Sequence, residues 1–309
     1  MQALLDAIAT MVMSTDATRI FHGRGGLYPG CEAWTLDAFP PVWLLTKFGP
    51  ASAEEITSLS AALQARHAQL APHEPLNALL QTRLEGRSET LLLAGSVPEP
   101  HTVLEDGVQY RVNLQRGQNH GLFLDMAEGR RWVRAHAQGA KVLNLFAYTC
   151  SFSVAALMGG AKEVVNLDMA QPALTTGQQN HQLNGITRGA KFLAHDLFSS
   201  WGKLTRMGPY DLVIADPPSY QKGSFMASKD WPRLLRRLSD LLKPGGHALL
   251  CLNAPEIPEQ FLRDQLLAEA PDLLIQQRLP NPQAFADVSP DRALKVLLVS
   301  LPSLPSVAR

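Results

Sequence analysis

Two patterns of hydrophobic positions divide the chain. Over residues 1–110 the pattern is mixed. Leu4, Leu5, Ile8, Met11 and Val12 recur at helical spacing and predict an amphipathic first helix. Strand-like runs follow, broken by turn residues: Thr18 to His22 ahead of Gly23-Arg24-Gly25-Gly26, and Val42 to Phe48 behind Pro40-Pro41. Ala53 to Leu70 predicts a helix with Ser52 as its N-cap. Two short β-type runs come next, near Thr90 to Leu93 and Val103 to Val112, the second turning at Asp106-Gly107. Together these predict a smaller N-terminal α+β domain.

Residues 111–309 read differently. Apolar runs without alternation alternate with helical stretches. The runs are Val142 to Phe146, Val164 to Asp168, Lys191 to Leu193, Asp211 to Ala215, Ala248 to Leu252 and Leu294 to Val299. A strand that is apolar on both sides is buried on both faces, as in a parallel sheet between helices. The alternation predicts an open, doubly wound α/β sheet. Such sheets bind ligands beyond the carboxyl ends of their strands. The residues that follow each strand are therefore the candidate functional positions.

Composition acts mainly by exclusion. The 309 residues carry 28 basic and 28 acidic side chains, and only 18% are charged, against the usual ~25%. A bulk electrostatic grip on nucleic acid is excluded. Local basic groups remain: Arg111, Arg116, Arg130, Arg131 and Arg134, then Arg233, Arg236 and Arg237. Each group reads also as a solvated helix face. Cys31, Cys150 and Cys251 form no CxxC pair, no zinc spacing and no even disulfide framework. No metal is expected. The first residues, Met1 to Asp6, lack the positive flank of a signal peptide. No apolar run approaches the ~20 residues that span a membrane. A cytoplasmic chain without membrane contact is expected, and a homo-oligomer is compatible with it.

The strand ends carry the chemistry. The first is followed by Phe146-Ala147-Tyr148-Thr149-Cys150-Ser151, which contains no glycine. A dinucleotide site needs G-x-G-x-x-G here, and no P-loop is present either. The common ligand left for this position is S-adenosylmethionine, which has no phosphate bridge. The second strand ends in Asp168, followed by Met169; an acid here can accept from ribose hydroxyls, or be a solvated strand end. The third precedes His195-Asp196-Leu197-Phe198. Asp196 can accept from an adenine amino group with an apolar neighbour covering the ring, or cap a helix. The fourth precedes Asp216-Pro217-Pro218-Ser219-Tyr220. Two prolines remove two donors and hold Asp216 extended. Asp216 and the Pro217 carbonyl can then accept the two protons of a base amino group while Tyr220 stacks on the ring.

With these motifs the chain resembles the class I S-adenosylmethionine-dependent methyltransferases. More narrowly, it resembles the bacterial large-subunit ribosomal-RNA methyltransferases with cytosine-C5 and guanine-N7 members. The resemblance runs through Phe21 to Gly26, Phe39 to Val42, Gly117 to Asp125, Leu143 to Thr149, Asn184-Gly185 and Asp216 to Tyr220. It implies a Rossmann-like doubly wound sheet with an antiparallel last strand, S-adenosylmethionine as cofactor, and RNA, ribosomal in kind, as partner. It implies cofactor contacts from Asn119, His120, Phe123, Asn144, Phe146, Ala147, Tyr148, Asp168, Met169, Asp196, Leu197 and Asp216. It assigns the target base to Asp216, Pro217 and Tyr220. The relatives usually have glycine where this chain has Cys150, so a tightened loop is expected. They often carry a small RNA-binding domain in front, and its absence is expected here because the shared part begins close to Met1.

In the C5-cytosine relatives a cysteine follows the fifth strand. Here that place is Asn253, and Cys251 lies inside the strand, where a cysteine reads as a small buried hydrophobe. A purine nitrogen is the favoured target. Methyl transfer to a small molecule or protein, and RNA binding without catalysis, are the alternatives.

Overall fold

The computed structural model describes residues 1–84, 86–218, 220–221 by backbone only, and 225–303. Two compact units emerge. One comprises Met1–Leu124 with Pro282–Ser289, the other Asp125–Asn281 with Pro290–Arg309. The sequence pattern changes near residue 110, whereas the chain passes from one unit to the next after Leu124.

The first unit contains α1 (Gln2–Thr10), β1 (Thr18–His22), β2 (Trp34–Phe39), β3 (Val42–Phe48), α2 (Ala53–Leu70), β4 (Asn77–Leu84), β5 (Arg87–Ala94), β6 (His101–Glu105) and β7 (Val108–Val112). Strands β1 to β5 form one sheet in chain order. Only the β3–β4 pair is parallel within it, because α2 crosses between them. Leu4 and Ile8 of α1 and Leu59 and Leu63 of α2 pack on Leu36, Leu45 and Leu80 of the sheet. The N-terminus of α2 has the reciprocal cap that the sequence implied. Ser52 Oγ accepts the Glu55 N–H, and the Glu55 carboxylate accepts the Ser52 N–H. Glu55 also pairs with Lys47 of β3.

The opposite face of this sheet sets polar side chains beside buried Leu44 and Leu79. Arg19 binds Asp37 through two hydrogen bonds, of 2.7 and 3.0 Å. Gln81 donates to the Gly117 carbonyl at 2.9 Å and Arg83 to that of Gln118 at 2.8 Å. Residues 282–289 return here: Phe285 lies under Arg19, and Val288 N–H bonds the Gly25 carbonyl. Gly25 must be glycine for this approach, because a Cβ would stand 2.1 Å from the Ala286 oxygen.

The second unit contains α3 (Ala127–His136), β8 (Lys141–Leu145), α4 (Ser151–Met158), β9 (Glu163–Asp168), α5 (Gln171–Leu183), β10 (Ala190–Ala194), α6 (Trp201–Met207), β11 (Tyr210–Ala215), β12 (Tyr220–Gln221), β13 (Phe225–Met226), α7 (Ala227–Leu241), β14 (Leu242–Leu252), α8 (Glu259–Glu269), β15 (Leu274–Leu279) and β16 (Lys295–Ser300). Its sheet runs β10-β9-β8-β11-β14-β16-β15. The first five strands are parallel, and β16 is antiparallel to both neighbours. The order reverses between β8 and β11, which opens the crevice where ligands bind in such sheets.

Unbroken apolar runs become intelligible here. Val213 and Ala215 of β11 pack with Trp231, Leu234 and Leu238 of α7. Leu212 and Ile214 of the same strand pack with Val133 of α3 and Phe152 of α4. Each strand feeds two hydrophobic layers, so neither face can be polar. No helix among the described residues is long and apolar enough to cross a membrane.

The α2 cap lies far in sequence from any strand-end motif, so it tests local stability alone. Ser52→Ala is expected to cost about 1 kcal/mol, read as a lower urea midpoint in the fluorescence of Trp34 and Trp43. An unchanged midpoint would show that the cap carries no net stability.

Candidate active site at the strand ends

The loop after β8 has an uncommon backbone. Phe146, Tyr148 and Cys150 have φ of 57°, 47° and 61°. Left-handed conformations at non-glycine residues cost of order 1–3 kcal/mol each and persist only when the surroundings enforce them. The enforcement is visible. Ala147 N–H donates to the Leu167 carbonyl at 3.0 Å, and Cys150 N–H to the Ala147 carbonyl at 2.7 Å. Tyr148 N–H donates to Asp168 Oδ2 at 2.8 Å. The other oxygen of Asp168 accepts Ala170 N–H at 2.8 Å, and its carbonyl accepts His195 N–H at 3.1 Å. Asp168 thus ties together the chain segments leaving β8, β9 and β10.

Cys150 occupies its left-handed position with a fully buried thiol. Burial, with Asp168 nearby, raises its pKa far above the ordinary thiol value, so it is not a nucleophile. Its side chain fits because residue 177 of α5 is glycine. A Cβ there would lie 2.4 Å from Cys150 Sγ. The chain has exchanged space: the cysteine in the loop is matched by a glycine in the helix.

Asn144 is buried, and its amide donates to Asn166 Oδ1 at 2.9 Å. Asn166 donates to Ser153 Oγ at 3.0 Å, and Ser153 meets His181 Nε2 at 2.8 Å. Burial holds the His181 pKa below the usual value. This neutral chain joins β8, β9, α4 and α5. At the end of β9, Met169 is exposed beside Asp168. After β10, Asp196 Oδ1 accepts Ser199 N–H at 2.8 Å and so holds the turn ahead of α6, whose N-cap is Ser200 and not Asp196, while Leu197 is buried.

Asp216 follows β11, with Pro217 buried beside it. Its carboxyl pKa is pushed up to about 7, first by burial and then by the Asp125 charge; Arg130 opposes the rise. Arg130 is itself buried. It is therefore not part of a solvent-facing basic track. Its position among Met126, Val133 and Ala137 on one face of α3 was the available signal. Ser219 and the Tyr220 side chain lie outside the described residues. Phe225, just beyond them, is buried against Phe146 and Trp231, with centroids at 5.2 and 5.9 Å.

Other readings fall into place. Cys251 is fully buried inside β14, and burial lifts its pKa well above the usual value, with Asp216 adding to the effect. The α7 arginines are matched by acids: Arg233 by Asp230, Arg236 by Glu269 and Arg237 by Asp240. Asn119, His120 and Phe123 belong to the first unit. There His120 Nδ1 lies 3.1 Å from the Asn113 carbonyl and Nε2 lies 3.3 Å from Arg83, so Nδ1 donates and Nε2 accepts. Among the described residues no cluster could hold a metal ion.

Comparison with known proteins decides the family. Residues 18–300 match the family model for S-adenosylmethionine-dependent methyltransferases. The chain belongs to that family. It is 31% identical over 262 residues to ribosomal RNA large subunit methyltransferase I of Erwinia tasmaniensis, covering 82% of this chain and 65% of the relative. With the Aeromonas salmonicida protein of the same name the identity is 29%, covering 78% and 62%. The chain therefore spans about three fifths of the length of these curated relatives. A methyltransferase structure from Streptococcus mutans superposes with a TM-score of 0.80 at 26% identity, covering 97% of this chain and 78% of that one. A methyltransferase complexed with SAH gives 0.79 at 25%, with the same coverage.

For this methyltransferase the Cys150–Gly177 exchange of space makes a double-mutant test. Gly177→Ala alone is expected to destabilise by about 1–3 kcal/mol through overpacking. In a Cys150→Gly background the same change is expected to cost less than about 1 kcal/mol, since the blocking atoms are gone and alanine favours a helix. Equal costs in both backgrounds, measured by urea unfolding, would refute the pairing.

Proposed function

We propose that this chain transfers a methyl group from S-adenosylmethionine to a purine nitrogen of ribosomal RNA. The observation that carries the reading is the place of Asp216: a half-buried carboxyl at a strand end, its pKa pushed up to about 7, beside a proline that leaves its carbonyl as an acceptor. The RNA substrate is supported by the names of the relatives.

The residues at the strand ends suit the cofactor. The loop of residues 146–150 would line it, Asp168 would take the ribose, and exposed Met169 would meet the adenine ring. Asp196, with Leu197 behind it, would accept from the adenine amino group. When bound, S-adenosylmethionine supplies an electrophilic sulfonium methyl, so the chain's task is placement more than activation.

Asp216 and the Pro217 carbonyl would accept the protons of the base amino group and aim the target nitrogen. Tyr220 is the stacking residue in this reading. A nitrogen that carries hydrogen loses a proton when it is methylated, and a carboxylate with a pKa near 7 is suited to take it. A purine is favoured over cytosine C5 because attack at C5 needs a thiolate. Cys251 is buried and held un-ionised, and exposed Asn253 stands at the strand end.

Mass mapping of ribosomal RNA from cells with and without the protein tests the substrate. One methylated purine must disappear with the protein; a lost methyl at cytosine C5, or no change, would overturn the reading.

The pH dependence follows from Asp216. The acceptor is the ionised form, so single-turnover transfer is expected to rise with pH to a plateau above about 7. Asp216→Asn is expected to lower the rate about 10²-fold or more and remove that limb, with a smaller loss of SAH affinity. A wild-type rate in this variant would leave the loop as a mere turn.

Stability moves the other way. The folded pKa lies above the ordinary 3.8, so the folded state holds the proton between 3.8 and about 7. Stability contributed by this group is present at low pH and lost as pH rises through that window. Asp216→Asn is expected to gain roughly 1–2 kcal/mol relative to wild type between pH 5 and pH 8. Urea unfolding at the two pH values checks the sign.

A further inference from the structure

The fully buried side chains of the second unit include a lysine that the reading above does not use. Lys295, the first residue of β16, has no solvent exposure. Its ammonium donates to the Ala254 carbonyl at 2.7 Å, the Ile257 carbonyl at 2.9 Å and the Asp291 carbonyl at 2.7 Å. An ammonium has three protons, and all three are placed. Burying a cation costs several kcal/mol, and an apolar side chain of similar volume would fill the same space without that penalty. The charge therefore points to a requirement beyond packing, and what it holds is the segment that follows β14.

We propose that Lys295 is a positioning residue for methyl transfer: its ammonium fixes residues 254–257 and thereby sets Asn253 beside Asp216. The proposal rests on the reading of Asp216 as the base-orienting group. In the ladder Ala215 pairs with Leu250, so Asp216 stands next to Cys251 and the chain reaches Asn253 two residues later. The effect of Asp216 on the Cys251 thiol reports the same closeness. Asn253 is exposed between Leu252 and Ala254, each only 1% exposed. A side chain presented by so short an exposed step has little freedom if the following carbonyls are held.

The other end of the clamp is also braced. Arg278 of β15 donates to the Pro290 carbonyl at 2.8 Å and pairs with Glu259 at 2.9 Å. Glu259 N–H in turn donates to Asp291 Oδ1 at 3.1 Å. Lys295 thus holds 254–257 against a fixed frame. An amide at Asn253 can donate to a ring nitrogen or carbonyl of the base and accept from its amino group. It would add a second point of recognition to the Asp216–Pro217 acceptors.

Lys295→Met keeps the stem and removes the charge. Three measurements on the full chain separate the outcomes: amide hydrogen exchange, SAH affinity by calorimetry, and single-turnover transfer to ribosomal RNA. Exchange over 254–257 is expected to quicken at least tenfold while β16 stays protected. SAH affinity is expected to stay within threefold, and transfer to fall at least tenfold with its pH midpoint unmoved. Asn253→Ala is expected to lower transfer, and the double variant to be no worse than the slower single one. Unchanged exchange in Lys295→Met overturns the proposal. So does a parallel loss of SAH affinity and rate, which would mark a merely structural lysine. If methionine at 295 does not fold, Asn253→Ala carries the test, and a wild-type rate there overturns it. If the wild-type protein transfers no methyl to ribosomal RNA, the substrate reading fails on that result. Exchange and SAH binding then still decide whether Lys295 holds the segment.

Discussion

The site depends on the Asp168 carboxylate. The loop after β8 contains three left-handed non-glycine residues, a conformation that does not persist unaided. Asp168 accepts a backbone N–H from that loop and another from the start of α5. Hydrogen bonds to a charged group contribute about 1.5–3 kcal/mol each, comparable with the strain they oppose. The same acid that the strand-end argument assigns to the ribose therefore also shapes the loop that would line the cofactor. Its structural role and the binding role proposed for it are inseparable in any one substitution. This is why the Cys150–Gly177 pair, which alters loop packing without touching the carboxylate, is the cleaner probe.

Much of the fold was legible because burial on both faces leaves a direct mark on sequence. The runs at 142–146, 164–168, 211–215 and 248–252 lie in buried strands, and the Ser52 cap announced α2. Three strands left weaker marks. In β2, Asp37 and Thr35 interrupt the apolar residues; Asp37 is buried only because Arg19 binds it across the strands. In β4, Gln81 is fully buried because the Gly117 carbonyl takes its amide. In β15, Gln276, Gln277 and Arg278 leave no apolar run, since the strand lies at the sheet edge. Each case needs a partner distant in sequence, and a local pattern does not name that partner.

The site was legible in part, for the same reason. Strand-end acids announce themselves, and Asp168, Asp196 and Asp216 stand where the alternation placed them. Their surroundings were less readable. Arg130 looked like one cation in a basic stretch, yet the helical period puts it on the buried face of α3 beside the Asp216 charge. Asn144 looked like a crevice residue, but its amide is committed to Asn166 in a buried neutral chain. The α7 arginines read as a solvated helix face that could also meet nucleic acid, and the fold supplies each with an acid. Spacing identifies which residues share a face; it does not say which charges are already matched.

The two sides of the crevice are built on opposite principles. On the cofactor side the acids are matched: Asp168 is satisfied by backbone N–H groups and Asp196 by a turn. What works against stability there is backbone strain in the loop after β8, not an unmatched charge. On the side proposed for the target, half-buried Asp216 stands close to a second acid, with Arg130 as partial relief, and the fold retains a carboxyl that it cannot ionise freely. Across the sheet Lys295 is a buried cation whose three hydrogen bonds all go to carbonyls, with Asp291, Glu256 and Glu259 as more distant charges. Both groups cost stability where a neutral residue would not, and both lie on strands that meet at the end of β14. A fold selected for stability alone would remove them. Their place together beside the proline-flanked acceptor marks a region where this methyltransferase gives up stability for a fixed geometry.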